Sequence, residues 1–207
     1  MEHKTLMDRL TRTSAGADPL ELFSRWLKEA EREDLPLPNA VNLATVDAGG
    51  QPRARMVLFK GLETEGFVFY TNYHSAKARE LEQRPDAALT FWWEPPGRQV
   101  RVEGTVRRLD EETSDAYFKT RPRDSQIGAY ASRQSEEVAD HHQLERQYRE
   151  IEQQFEGQEI PRPEFWGGYV LVPNLIEFWQ DASGRMHDRI RYQRTAEGGW
   201  WQDRLSP

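Results

Sequence analysis

The sequence contains no cysteine, which excludes disulfides, thiolate nucleophiles and Cys-ligated zinc or iron–sulfur clusters. Long apolar runs are missing as well. Residues 1–17 hold no stretch of signal-peptide length, and nothing approaches the ~20 apolar residues that a bilayer-spanning helix needs. These absences lead us to expect a cytoplasmic protein without a membrane partner. Positive charge is in deficit: 28 Lys plus Arg stand against 35 Asp plus Glu, a formal net charge of -7. That argues against nucleic acid as a partner and means that any anion must be held by a local basic cluster. The glycines form neither G-x-G-x-x-G nor G-x-x-x-x-G-K-[ST], so neither a Rossmann dinucleotide site nor a P-loop is indicated. No H-E-x-x-H or H-x-E pattern offers metal ligands, His141 and His142 fall on the polar side of a helix, and no metal is expected. A G-x-S-x-G nucleophile elbow is absent too.

Aromatic residues are plentiful, with seven Trp, seven Tyr and nine Phe in 207 residues. This suits a globular protein with an aromatic-rich interior or ligand pocket. We expect a flexible segment over residues 1–17 and a single domain over 18–207. Asp18-Pro19-Leu20-Glu21 supplies an N-cap, a proline at the first helical position and a capping-box glutamate. The helix that follows carries Leu20, Phe23, Trp26, Leu27 and Ala30 at three- and four-residue spacing and ends before Pro36. Residues 40–46 and 53–59 read as a hairpin around Asp47-Ala48-Gly49-Gly50. Strands are predicted at 67–71, 87–93 and 99–109, with a short helix at 76–83. Two further helices are predicted near 111–119 and 135–155, the second with an apolar stripe of Leu144, Tyr148, Ile151 and Phe155 read as core. Four last strands are predicted at 169–172, 176–180, 188–193 and 200–204. Strands outnumber helices and short turns join them, so the fold class is mainly β (α+β), an antiparallel barrel with peripheral helices.

Four segments carry chemistry. In Arg55-Met56-Val57-Leu58-Phe59-Lys60, alternation puts Arg55, Val57 and Phe59 on one face and Lys60 at the strand end; a solvated charge pair is the plainer reading. Tyr70-Thr71-Asn72-Tyr73-His74-Ser75-Ala76-Lys77 passes from strand to helix, so hydroxyls, helical N–H groups and a lysine converge as in an anion site, although a capping Ser75 explains it equally well. Arg121-Pro122-Arg123-Asp124-Ser125 sets two arginines and a serine around a rigid proline, as phosphate recognition requires. In Ile176-Glu177-Phe178-Trp179-Gln180 and Arg185-Met186-His187-Asp188-Arg189, a tryptophan, two cations and a histidine share a strand face; a surface aromatic–cation pair is the bland alternative.

Together these segments resemble the pyridoxine 5'-phosphate oxidase family over about residues 18–207. The similarity rests on R-P-R-D-S-Q-I-G-A at 121–129, Gln134-Ser135, F-W-G-G at 165–168, E-F-W-Q at 177–180, R-x-H-D-R at 185–189 and the ending R-L-S-P. The resemblance implies a split β-barrel that forms a homodimer, with FMN in a cleft lined by both subunits. It implies FMN contacts for Arg55, Met56, Val57, Leu58, Lys60, Tyr70, Thr71, Lys77, Gln99, Gln134, Ser135, Trp179 and Arg189. Lys60, Tyr117, Arg121 and Ser125 match the group that binds the substrate phosphate, and Arg185 and His187 match the catalytic residues over the pyridine ring. The implied reaction oxidises pyridoxamine or pyridoxine 5'-phosphate to pyridoxal 5'-phosphate, with oxygen as acceptor.

Two positions depart from the family pattern. Ala76 stands where the family commonly has arginine, and Glu2-His3-Lys4-Thr5 lacks the basic pair and tyrosine that fold over substrate. A flavin oxidase of another ring system, as in the phenazine-pathway relatives, and a non-catalytic flavin or pyridoxal-phosphate binder are the competing readings. Lys60 and the Arg121–Ser125 run argue against the first, because both serve a phosphorylated substrate.

Overall fold

The computed structural model describes residues 9–33, 35–63 and 66–207. Its strands are β1 (Ala40–Val46), β2 (Pro52–Glu63), β3 (Gly66–Asn72), β4 (Asp86–Trp93), β5 (Arg98–Arg108), β6 (Trp166–Gln180), β7 (Asp188–Arg194) and β8 (Trp200–Arg204). They form one antiparallel sheet in the order β3-β2-β1-β4-β5-β6-β7-β8. β3 also pairs with the first half of β6, from Phe67 opposite Leu171 to Asn72 opposite Trp166. Six strands therefore close into the expected barrel, and β7 and β8 continue from the second half of β6.

The sequence suggested two strands where β6 runs unbroken. Pro173 lacks the N–H of a ladder donor, and the register with β5 slips opposite it, between Glu103 and Gly104. Pairing resumes beyond the slip, so the proline marks an irregularity in one strand that serves both the barrel and its β7–β8 extension. Gly104 is required there, because a Cβ would lie 2.1 Å from the Val172 carbonyl oxygen.

The helices are α1 (Arg12–Ala15), α2 (Pro19–Arg32), α3 (Ala76–Gln83), α4 (Glu111–Thr120), α5 (Arg123–Ala131) and α6 (His141–Gln154). Asp18 caps α2 by accepting from the Leu20 N–H at 2.8 Å, and the buried face presents Leu22, Phe23, Trp26 and Ala30. Phe23 meets Phe59, Phe67 and Phe91 edge-on, with centroids 5.3, 4.8 and 4.9 Å away. Each such pair adds ~0.5–1.5 kcal/mol beyond burial, so α2 is anchored in the main core.

Three expectations need correction. Residues 9–17 pack against the barrel: Leu10 and Ala15 join the core, and Arg9 holds Asp188 through two hydrogen bonds of 2.6 and 2.7 Å. The rest of the expected flexible segment, including Glu2–Thr5, lies outside the described residues. The second late helix starts at His141 rather than Ser135, with Asp140 as its cap, and α5 was not anticipated. The stripe on α6 is only half-buried: Tyr148, Ile151 and Phe155 rim a second cluster of Phe118, Ile127, Ile160 and Trp166. Among the described residues, no helix is long and apolar enough to cross a membrane.

Candidate active site

A cleft of about 430 Å³ is lined by Met56, Val57, Leu58 and Lys60 of β2, Tyr70 and Thr71 of β3, Lys77 of α3, Tyr117, Thr120, Arg121, Pro122 and Ser125 around the α4–α5 junction, Gln134 and Trp166. It unites most of the residues predicted for the flavin and for the substrate phosphate. On β2 the alternation turns Met56, Leu58 and Lys60 outward while Phe59 is buried. Lys60 does not end the strand as expected. It sits within β2 at the register shift between Phe59 and Gly61, and such a bulge re-aims side chains.

The residues predicted to meet the cofactor phosphate gather where β3 runs into α3. Lys77 is 8% exposed and its Nζ donates to Thr71 Oγ1 at 3.2 Å; Thr71 in turn donates to Gln134 Oε1 at 3.0 Å. Burial, and then the nearby Arg55, push the Lys77 ammonium below its ordinary pKa. Ser135 adopts φ 74°, and its Oγ accepts the Ala76 N–H at 3.2 Å, so the Gln134-Ser135 pair is fastened to the start of α3. Arg55 does not line the cleft. Its guanidinium bonds Glu80 at 2.6 Å and also Thr45, beside Lys77.

Proline explains the geometry of the Arg121–Ser125 run. The residue before a proline is pushed to extended backbone, and Arg121 has ψ 144° as the C-cap of α4. The chain then restarts as α5, so Tyr117, Arg121 and Ser125 reach one cleft from two helices. Only one of the two arginines is available. Arg123 turns away to donate to the carbonyls of Gln158 and Phe155 at 2.9 and 2.6 Å. Arg121 Nη1 is buried without a hydrogen-bond partner, and burial pushes its pKa below the ordinary arginine value.

Trp166 belongs to the site and was not singled out from the sequence beyond its place in F-W-G-G. Its ring lies parallel to Tyr70 and Tyr117 at centroid distances of 5.4 and 6.2 Å, and Tyr70 and Tyr117 stack at 3.8 Å. Burial raises Tyr70 to about 12, keeping it a neutral phenol. The glycines make this ladder possible: a Cβ on Gly168 would come within 2.8 Å of the Tyr70 ring, and one on Gly167 within 2.1 Å of the Tyr73 hydroxyl.

The remaining predicted residues form a separate group. Gln99, Trp179 and Arg189 are register partners across β5, β6 and β7, and Trp92 of β4, which was not predicted, pairs with Gln99; directly paired residues share a sheet face. Arg189 is held by Glu177 at 2.8 Å. The His187 ring lies 4.6 Å from that of Trp179. His187 Nδ1 accepts the Ala182 N–H at 3.2 Å and stands 3.1 Å from Asp181 Oδ1. Arg185 is not on the strand face; it occupies the turn before β7 with φ 60°, a left-handed conformation that is costly for a non-glycine residue. Trp166 and Trp179 lie towards opposite ends of the 15-residue β6, on the order of 40 Å apart for a straight strand at ~3.3 Å per residue.

Two family models match the chain: pyridoxamine 5'-phosphate oxidase over residues 27–155, and the pyridoxine 5'-phosphate oxidase C-terminal dimerisation region over residues 166–207. The chain belongs to the pyridoxamine 5'-phosphate oxidase family. It is 53% identical over 198 residues to a pyridoxine/pyridoxamine 5'-phosphate oxidase of Rubrobacter xylanophilus, covering 96% of this chain and 91% of the relative. Identity to the Bordetella petrii protein of the same name is 52% over 206 residues, covering 100% and 95%. PhzG from Burkholderia lata, solved in complex with tetrahydrophenazine-1-carboxylic acid, has a TM-score of 0.90 at 30% identity and covers 97% of this chain and 99% of its own. A pyridoxamine 5'-phosphate oxidase-related, FMN-binding protein from Nostoc punctiforme shares the fold, with a TM-score of 0.75 at 17% identity and coverage of 93% and 100%.

The residues of this family member fit FMN. A phosphate dianion suits a buried lysine whose hydrogen bond is to a neutral hydroxyl, and a flat ring suits the outward side chains of Met56 and Leu58, which are 61% and 41% exposed. Among the described residues, no three His, Asp or Glu side chains are placed to hold a metal ion.

Proposed function

We propose that this chain is an FMN-dependent pyridoxamine/pyridoxine 5'-phosphate oxidase acting as a homodimer. It oxidises either substrate with O2 to pyridoxal 5'-phosphate and H2O2, with water consumed and ammonia released when the substrate is the amine. The observation that carries the substrate class is Arg121, which lines a cleft with Lys60, Tyr117 and Ser125 and whose buried Nη1 has no hydrogen-bond partner, because a buried charged donor without a partner is costly unless a ligand satisfies it. FMN, when bound, supplies two-electron oxidation with oxygen as the final acceptor.

The protein's part is orientation and charge. Lys77, Thr71, Gln134 and Ser135 would hold the cofactor phosphate, Met56 to Leu58 would lie along its ring, and Arg55, held by Glu80, would add positive charge near Lys77. Gln99, Trp179 and Arg189 would complete the cofactor site from the second copy, with that copy's Arg185 and His187 over the reacting ring. A dimer resolves the separation of the two groups along β6, and the match to a dimerisation region over residues 166–207 supports it. We also propose a cytoplasmic location, which suits a chain without cysteine.

The likeness to PhzG supplies the runner-up, a ring substrate whose carboxylate meets Arg121. The visible spectrum of the purified protein, before and after anaerobic addition of pyridoxamine 5'-phosphate, separates the two. Flavin absorbance that bleaches on addition supports the oxidase. Absorbance that persists favours the runner-up or a non-catalytic binder, and a protein that cannot be loaded with FMN overturns the proposal.

A further inference from the structure

Arg121 reaches the cleft from a helix break, and its Nη1 has no hydrogen-bond partner. What fixes it is aromatic. The guanidinium carbon lies 4.5 Å from the centroid of the Trp166 ring and 5.4 Å from that of Phe118. Trp166 is itself fixed on three sides. It is 6% exposed, parallel to Tyr70 and Tyr117, and edge-on to Phe118 at 5.1 Å. Its carbonyl accepts from Arg162 Nη1 at 2.8 Å, while Arg162 is bound to Asp115. A desolvated guanidinium on an indole face is held in place yet keeps its N–H edge free for an oxyanion. A carboxylate neighbour would fix it equally well but would cancel the charge that a phosphate needs.

We infer that Trp166 is the positioning residue for Arg121, an aromatic shelf that presents the guanidinium to the substrate phosphate without neutralising it. The inference rests on the assignment of Arg121 to that phosphate. Trp166 acts through Arg121, so its removal should weaken recognition of the phosphate more than it slows turnover.

The test uses the FMN-loaded dimer and the variants Trp166→Leu, Trp166→Phe, Arg121→Ala and Trp166→Leu with Arg121→Ala. Steady-state kinetics with pyridoxamine 5'-phosphate and calorimetric titration with inorganic phosphate are measured on each. Loss of the shelf should raise KM and the phosphate Kd about three- to thirtyfold, the range of one desolvated cation–π contact, with a smaller change in kcat. Trp166→Phe, which keeps an aromatic face, should restore most of the affinity. In the Arg121→Ala background the leucine substitution should add less than about twofold, because the residue it acts through is gone. Equal effects of Trp166→Leu with and without Arg121 would overturn the inference, as would a phenylalanine variant that folds normally yet binds phosphate as weakly as Arg121→Ala. If Trp166→Leu does not fold, the phenylalanine variant alone decides. Phosphate binding that depends on Trp166 in an enzyme inert toward pyridoxamine 5'-phosphate would overturn the substrate assignment and leave the role of Trp166 standing.

Discussion

Replacing Lys77 with Met tests whether the cleft is built around an anion. Lys77 is 8% exposed, bonds the Thr71 hydroxyl at 3.2 Å and has its pKa pushed below 10.5, first by burial and then by Arg55. Without ligand, the unfolded chain therefore holds this proton more tightly than the folded one. The resulting penalty on folding is complete below the folded pKa and fades as pH rises toward the unfolded value. A bound phosphate dianion reverses the balance by favouring the ammonium. We predict that Lys77→Met weakens FMN binding about ten- to a hundredfold, the worth of one charged hydrogen bond at ~1.5–3 kcal/mol, while the apo-protein is at least as thermostable as the wild type. Wild-type FMN affinity should fall as pH rises from neutrality through the depressed Lys77 pKa, and that fall should be missing in the methionine variant. Fluorescence titration of apo-protein with FMN across that range, together with apo-protein melting curves, measures all three quantities. Unchanged FMN affinity, or the same pH dependence in both proteins, would refute the reasoning and send the phosphate elsewhere.

Arg121→Ala should raise KM for the phosphorylated substrate roughly ten- to a hundredfold with near-normal FMN content, since one charged contact is lost; flavin loss with intact substrate affinity in kinetic and absorbance assays would mean that the two phosphate assignments are reversed. Arg185→Ala and His187→Ala should each lower kcat more than FMN affinity, because orientation over the reacting ring is what they supply; unchanged kcat in both would remove the β7 turn from the active site. Ala76→Arg should slow FMN release on dilution, read as flavin fluorescence recovery, by up to ~1.5–3 kcal/mol of added interaction; equal or faster release would show that position 76 faces away from the phosphate. Asp188 is buried, which pushes its carboxyl up, but hydrogen bonds from Arg9 and Arg204 outweigh burial and leave its pKa below 3.8. Its stabilisation is thus present above that value and lost as pH falls through the folded pKa. Asp188→Asn should lower Tm by about 3–10 °C at neutral pH and flatten the acid limb of the stability curve; a Tm within 1 °C or so of wild type would show that the two arginines contribute nothing there.

Local chemistry along the chain determined most of the elements of this protein. Alternation in 40–46 and 53–59 sufficed for β1 and β2, Asp18-Pro19 for the start of α2, and Ser75 for the cap of α3, because capping and two-residue periodicity act over a few neighbours. The motif at 121–125 suggested an anion site, yet only the fold separated its two arginines. Arg121 enters the cleft and Arg123 fastens the 155–158 loop, since helix direction after Pro122 depends on what α5 packs against. The α6 stripe looked like core because amphipathicity does not say how deeply a helix sinks, and Pro173 looked like a strand end because pairing on β5 is invisible from β6 alone. Trp166 escaped notice for the same reason. Its partners Tyr70, Tyr117 and Arg121 come from β3, α4 and the α4–α5 elbow. Contacts between residues so far apart in sequence exist only once the barrel has closed through β3 and β6. Residue type and spacing thus suggested the chemistry, while the closed barrel decided which side chains share a cleft and which lie apart from it.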